Sequence, residues 1–206
     1  MLALGTTRSG KTELMKWLVP HLGPHIVVHD GKGRINWPNF HLHTQGETLQ
    51  HDRWPWLIYR PPHEHIGEPD EAEPFYEWIF NRGHTVCYTD EMLTITKNGR
   101  APMWWKACQT RGGELGISMV NGTQRPSWIP QEMLSEPEYA VLFRLNLPAD
   151  RKRAAELCEI DDELLGPRAL PKHYWYFVEL GEQAEGPYHL RLPPAAAHYA
   201  ESAAAA

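Results

Sequence analysis

"GTTRSGKTE", residues 5–13, decides how the chain is read. Gly5–Thr12 matches G-x-x-x-x-G-K-T, and it falls between the apolar run "MLAL" and a stretch with helical spacing. In that setting the backbone N–H groups and the helix N-terminus cradle phosphate oxygens. Gly5, Thr6, Thr7, Arg8, Ser9, Gly10, Lys11, Thr12 and Glu13 are therefore the expected nucleotide-binding loop. In such a loop the lysine, here Lys11, reaches the β- and γ-phosphates, and Thr12 ligates magnesium. The ligands expected are ATP and Mg2+.

Outward from this loop, strands alternate with helices. "KTELMKWLVPHL" spaces Leu14, Trp17, Leu18 and Leu22 along one helical face. "HIVVHD" reads as a strand, "GKGRINWPNFHLHTQGE" as a loop, and "WPWLIYRPP" as a strand closed by prolines. After an acidic loop, "EPFYEWIFNRG" reads as a helix ended by Gly83. "HTVCYTDE" is a strand, "RAPMWWKACQTRGG" a helix, and "GISMVNGTQ" and "YAVLFRLNL" are strands. "RKRAAELCEIDDELLG" predicts a helix over 151–166, and "HYWYFVELGEQAEGPYHLRLP" a terminal β-hairpin. The alternation implies an α/β fold with a mostly parallel sheet between helices. Residues 1–193 are expected to form a single domain, with its core in 1–147 and a C-terminal helix and hairpin in 148–193. An alanine-rich tail covers 194–206.

Ligands in parallel sheets sit beyond the carboxyl ends of the strands. Gly5, Asp30, Asp90, Glu91 and Gln124 all lie at or just past predicted strand ends, so they are expected to converge on one edge. Asp90 fits a magnesium ligand. A carboxylate beside a metal site orients and deprotonates an attacking water, which makes Glu91 the expected catalytic base. Gln124, one strand later, is placed to touch the γ-phosphate or the water.

Composition narrows the function classes. Of 206 residues, 42% are apolar, enough for a real core. No apolar run approaches the roughly 18 residues that would span a bilayer, and the first residues lack the pattern of a secretory signal. Cys87, Cys108 and Cys158 are odd in number and widely spaced, which suggests reduced thiols in a cytosolic setting. The net charge of −6 argues against a generally sticky nucleic-acid binder. Its distribution is uneven: Glu64–Glu77 holds six acids and no Lys or Arg, whereas 97–125 holds five basic residues and one acid. Two readings stay open. These are either two ordinary solvated faces, or a basic surface for a polyanion with the acidic surface pointing elsewhere. On the second reading Lys97, Arg100 and Lys106 are the expected DNA contacts. His41–His43 and His63–His65 form His-x-His pairs, read as surface-loop histidines, since zinc needs more ligands in a tetrahedral array.

"HIVVHDGKG", "TVCYTDE" and "RGGELGISMVNGTQRPSWIP" together resemble the FtsK/HerA superfamily of P-loop ATPases, over about residues 1–147. "TQRPS" one element beyond an acidic pair is the most specific part of the likeness. The minimal N-terminus is similar to the small genome-packaging ATPases of membrane-containing viruses. The resemblance implies a RecA-like core, ATP hydrolysis coupled to translocation of double-stranded DNA, and a homo-oligomeric ring, pentamer or hexamer. It further implies work in the host cytoplasm or at the virion, with a viral capsid or membrane vertex as a further candidate partner. It also implies an arginine reaching into the neighbouring subunit's site. Many relatives carry that arginine where this chain has Gly113. Arg111, two residues earlier, is the first candidate and Arg125 the other. A filamentous-phage assembly-type ATPase and a small-molecule P-loop kinase are the alternatives. The first of these usually carries a transmembrane segment. The second requires an arginine-rich lid and no hydrolytic glutamate.

Overall fold

The computed structural model describes residues 1–43, 48–49, 53–180 and 185–191. In chain order the elements are β1 (Leu2–Leu4), α1 (Lys11–Leu18), β2 (Ile26–His29), β3 (His41–His43), β4 (Trp56–Tyr59), α2 (Pro69–Arg82), β5 (Val86–Thr89), α3 (Met103–Arg111), β6 (Ser118–Thr123), β7 (Tyr139–Phe143), α4 (Pro148–Cys158), β8 (Tyr174–Glu179) and β9 (Tyr188–Arg191). They gather into two compact units. The first holds Met1–Leu18, Thr123–Trp128 and the described part of Pro137–Ala206; the second holds Val19–Gly122 and Ile129–Glu136.

In the first unit β1 pairs with β7 in parallel. β7 then pairs antiparallel with β8, and β8 with β9. The expected C-terminal hairpin is present as β8 and β9; its connection, 181–184, and the alanine-rich tail lie outside the described residues. β1 and the last four residues of β7 are buried without the alternation of a half-exposed strand. That is the pattern of strands covered on both faces.

In the second unit the strand order is β3-β4-β2-β5-β6, and every pairing is parallel. β2 and β5 are buried throughout and matched residue for residue from Ile26↔Val86 to His29↔Thr89. This register ends both strands at one level, so Asp30 and Asp90 leave the sheet side by side. Helices α2 and α3 bring Phe75, Tyr76, Ile79 and Trp105 into the core. The Trp105 indole donates to Asn121 Oδ1 at 3.2 Å, and Asn121 in turn donates to Gln109 Oε1 at 2.9 Å. The buried Asn121 side chain of β6 is thereby satisfied from α3.

Three local expectations change. Part of the stretch read as a loop before β4 forms β3, which carries His41 and His43; pairing with β4 makes it a strand, since His-Leu-His has little strand character of its own. Helix α2 starts earlier than expected, inside the acidic loop. Pro69 fixes φ at its first position, and Asp70 and Glu71 face the positive helix end. Helix α4 starts at Pro148 and stops at Cys158, short of 166. Glu159 takes the left-handed conformation (φ 52°), and the Asp161 carboxylate accepts from Glu163 N at 2.9 Å to open a separate 3-10 turn. Among the described residues no helix is long and apolar enough to cross a membrane.

Candidate active site

The loop of the first unit is built for an anion. β1 delivers Gly5, where a Cβ would lie 2.5 Å from Phe143 Cβ and 2.8 Å from the Ser9 hydroxyl oxygen. Only glycine lets the loop start this close to β7. Gly5 N donates to Thr123 O and Thr6 N to Arg144 O, both at 3.2 Å. His173 N donates to Ser9 O at 3.1 Å, so the turn before β8 braces the loop from behind. Helix α1 opens at Lys11, which is only 4% exposed. Thr6, Thr7, Arg8, Ser9, Gly10, Lys11, Thr12, Glu13 and Gln124 line a cavity of about 160 Å³.

Two buried hydroxyls in this loop, Thr6 Oγ1 and Ser9 Oγ, have no hydrogen-bond partner among the described residues. Buried polar groups are rarely left this way. A phosphate would supply acceptors for both, beside the Lys11 ammonium and the helix N-terminus. The residues present therefore fit a nucleotide.

Gln124 belongs to this cavity: its side-chain oxygen accepts from the Thr7 hydroxyl at 2.7 Å. The segment behind it is locked. Arg125 Nε donates to Asp150 Oδ2 at 2.9 Å, and its guanidinium lies 3.9 Å from the centre of the Trp128 ring. Ser127 donates to Asp150 Oδ1 through its N–H at 3.1 Å and its hydroxyl at 2.6 Å. Asp150 is 2% exposed and sits in the first turn of α4. Sequence reading missed it; an acid behind a proline at a helix start is the only local signal it leaves.

In the second unit Asp90 and Glu91 follow β5 directly, 5% and 4% exposed. Tyr88 donates from its hydroxyl to Asp90 Oδ1 at 2.7 Å. The ammonium of Lys32 is 2.8 Å from Glu91 Oε2 and 3.9 Å from Asp90 Oδ2. Asp30, also expected at the site, is instead an anchor. It accepts from the N–H groups of Arg34 (3.1 Å) and Ile35 (2.9 Å) and from the Arg60 guanidinium (2.9 and 3.1 Å), and it is fully buried. The sequence-expected residues thus come together as two sets: the loop with Gln124 in one unit, and Asp30, Asp90 and Glu91 in the other.

The charged stretches do not face apart. Lys97 pairs with Glu68, Arg100 with Asp70 at 3.1 Å, and Lys106 with Glu132 at 2.5 Å. Glu73 also accepts from Met103 N (2.5 Å) and Trp104 N (2.9 Å), capping α3 from α2. Glu68 and Asp70 belong to the acidic stretch, so that stretch does not point away from the basic one, and acids from within the chain pair with three of the basic residues. Arg111, exposed at the end of α3, lies with its guanidinium 5.3 Å from the Phe80 ring centre. His41 stacks on Trp54 at 3.9 Å and His43 tilts against Tyr59 at 5.4 Å. Among the described residues no group of three or more metal-ligating side chains forms.

Compared by sequence, the chain matches no protein-family model and no curated protein. Compared by structure, it is similar to the genome packaging NTPase B204 of Sulfolobus turreted icosahedral virus 2 in complex with AMPPCP. The TM-score is 0.68 at 12% identity, over 91% of this chain and 96% of that one. It is also similar to the N-terminal domain of zonular occludens toxin from Neisseria meningitidis (TM-score 0.51, 15% identity, 95% and 94% covered). VirB4 of Thermoanaerobacter pseudethanolicus matches at TM-score 0.54 and 15% identity, over 71% of this chain and 43% of that one. The fold of this chain is therefore the α/β fold shared by these proteins, a genome packaging NTPase among them.

Proposed function

We propose that the chain is an ATPase that translocates double-stranded DNA, a genome-packaging motor subunit working as a homo-oligomeric ring, pentamer or hexamer. Residues 1–193 act in it as one ATPase domain. The observation that carries the reading is the phosphate cradle. Thr6 and Ser9 hold buried hydroxyls without partners among the described residues, beside Lys11 in a cavity shared with Gln124. The likeness to a protein described as a genome packaging NTPase, over 91% of this chain, supports the same reading.

In this reading the loop from Gly5 to Glu13 holds the triphosphate, and Lys11 neutralises its terminal charge. Thr12 and Asp90 hold Mg2+, which when bound offsets charge on the phosphoryl oxygens. Glu91 takes the proton of the attacking water, and Gln124 orients that water or the γ-phosphate. Arg111 of a neighbouring subunit meets the charge that develops in the transition state. Lys97, Arg100 and Lys106 meet DNA phosphates. The motor works in the host cytoplasm or on the virion, with a capsid or membrane vertex as its dock.

The test is ATP hydrolysis with and without linear duplex DNA across a salt series. Hydrolysis stimulated by DNA, with stimulation fading as salt rises, is expected, because phosphate contacts release counterions. Hydrolysis indifferent to DNA at every salt concentration sinks the translocase assignment. A chain that binds no nucleotide sinks the whole reading.

A further inference from the structure

The turn after β2 is constructed around a single outcome. Asp30 N donates to Tyr59 O at 2.9 Å, which ties the strand end to β4. The buried Asp30 carboxylate then gathers two backbone N–H groups and the Arg60 guanidinium, and Gly33 N closes back onto Asp30 O at 3.1 Å. Arg60 also donates to Ile35 O at 2.9 Å, so both ends of the turn are held by one side chain. At Gly31 a Cβ would lie 2.2 Å from the Thr94 hydroxyl oxygen and 2.4 Å from Thr94 Cβ. The turn is therefore pressed against the 3-10 turn Met92–Thr94 that follows Glu91. Thr94 fixes that second turn by donating its hydroxyl to Glu91 O at 2.7 Å. Between the two fixed turns, Lys32 places its ammonium on Glu91 Oε2 at 2.8 Å.

We infer that Lys32 is a positioning residue, holding the carboxylate of Glu91 in the orientation from which it activates water. The inference rests on the reading of Glu91 as the base. An ammonium on one carboxylate oxygen fixes the side-chain torsions and leaves the geometry of the second oxygen defined. Charge-assisted bonds of this length are the strong ones. Lys32 also offsets two adjacent, nearly buried carboxylates, Asp90 and Glu91, which would otherwise repel one another. Its own side chain is 25% exposed, so it reaches the acids from the solvent side rather than from the core. A base displaced by even about 1 Å loses on the order of 10²-fold in rate, which is why a dedicated lysine is worth building.

The experiment is steady-state ATP hydrolysis by the full chain with duplex DNA present, alongside ADP affinity by calorimetry. The variants are Lys32→Met, Lys32→Arg, Glu91→Gln and the double variant Lys32→Met with Glu91→Gln. Lys32→Met is expected to lower kcat by about 10-fold or more with KM and ADP affinity nearly unchanged. Lys32→Arg should recover part of the loss, since it restores the charge with altered reach. In the Glu91→Gln background, Lys32→Met should cost little further, because the two residues act as one unit. Thermal melting separates this effect from unfolding. If Lys32→Met does not fold, Lys32→Arg carries the test: lowered kcat at unchanged KM supports the role, and wild-type kcat overturns it. Full kcat in a folded Lys32→Met, a loss shared equally by KM, or a full extra loss in the Glu91→Gln background also overturns it. Full turnover in Glu91→Gln instead overturns the reading of Glu91 on which the inference stands.

Discussion

The Thr7 hydroxyl donates to the side-chain oxygen of Gln124 at 2.7 Å, linking residues 117 positions apart in sequence. The bond joins the phosphate loop to the segment that Asp150 locks through Arg125 and Ser127. In the proposed site Gln124 acts on the γ-phosphate or the attacking water, and this bond holds its side chain at the loop. Gln124→Ala is therefore expected to keep ADP affinity within about twofold while lowering kcat by about 10-fold or more, the scale of losing one positioned polar group at the reacting phosphate. Thr7→Val should show a smaller loss of the same kind, and the double variant should lose less than the sum of the two. ADP calorimetry and steady-state ATPase rates check this; fully additive losses would mean that the two residues act apart.

The glycine-rich loop between β1 and α1 was legible in sequence because its determinants are local. Gly5, Gly10, Lys11 and Thr12 fall within eight residues between a strand and a helix. Asp90 and Glu91 were legible as acids following a largely apolar strand. The charge picture was not, because the partners of Lys97 and Arg100 are 29 and 30 residues away. Only the packing of α2 beside the stretch 97–104 reveals that the acids fold back onto the bases. β3 was missed for a related reason, since a three-residue strand is specified by its neighbour. Asp30 looked like a site residue and is a structural anchor: a strand-end acid bonds a ligand or its own following turn with equal ease, and sequence does not separate the two.

The pairs Lys97–Glu68, Arg100–Asp70 and Lys106–Glu132 bear on DNA binding. Each is a surface pair worth roughly 0–1 kcal/mol, so DNA can displace the acids at modest cost. Replacing them (Glu68→Gln, Asp70→Asn, Glu132→Gln together) should tighten duplex binding by about 10-fold at low salt, as three such costs are removed. The dependence of affinity on salt should persist, because the phosphate contacts remain. Fluorescence anisotropy on a labelled duplex measures both. An unchanged affinity would remove Lys97, Arg100 and Lys106 from the DNA-contacting surface.

The proposed trans arginine has two candidates in different settings. Arg125 is committed within its own subunit, bonded to the buried Asp150 at 2.9 Å and stacked on Trp128. Drawing it out would leave Asp150 buried without its charge partner, which is costly. Arg111 is exposed at a helix end against Phe80, and a guanidinium over a ring moves at little cost. Arg111→Ala is therefore expected to lower kcat by about 10³-fold, the scale of an arginine finger, with nucleotide affinity largely kept. Lys11→Ala should lose nucleotide binding itself. Mixing the two inactive variants should restore activity, since in the proposed ring a mixture contains interfaces with both groups intact. An Arg111→Ala protein with full turnover ends its candidacy, and a mixture that stays inactive argues against a shared site.

His29 gives the fold a pH dependence that is separate from catalysis. It ends β2, is 1% exposed, and lies among the rings of Phe75, Tyr59 and Tyr76 at 5.3, 5.7 and 6.0 Å. Burial in this aromatic cluster disfavours the imidazolium and lowers the pKa from 6.5 to about 4, partly opposed by a backbone hydrogen bond. Between those values the unfolded chain binds a proton that the folded chain does not, so stability rises with pH across the window. The contribution is complete above pH 6.5 and is lost as pH falls towards 4. From pH 7 to pH 5 it amounts to about 2 kcal/mol. His29→Phe keeps an aromatic ring at the site and removes the proton. Urea unfolding of both proteins at pH 7 and pH 5 isolates the term, since every other titrating group is common to the pair. The variant should lose less stability than the wild type by about 2 kcal/mol. Equal losses in the two proteins would mean that His29 is charged in the folded state, and that the cluster around it opens to water before the chain unfolds.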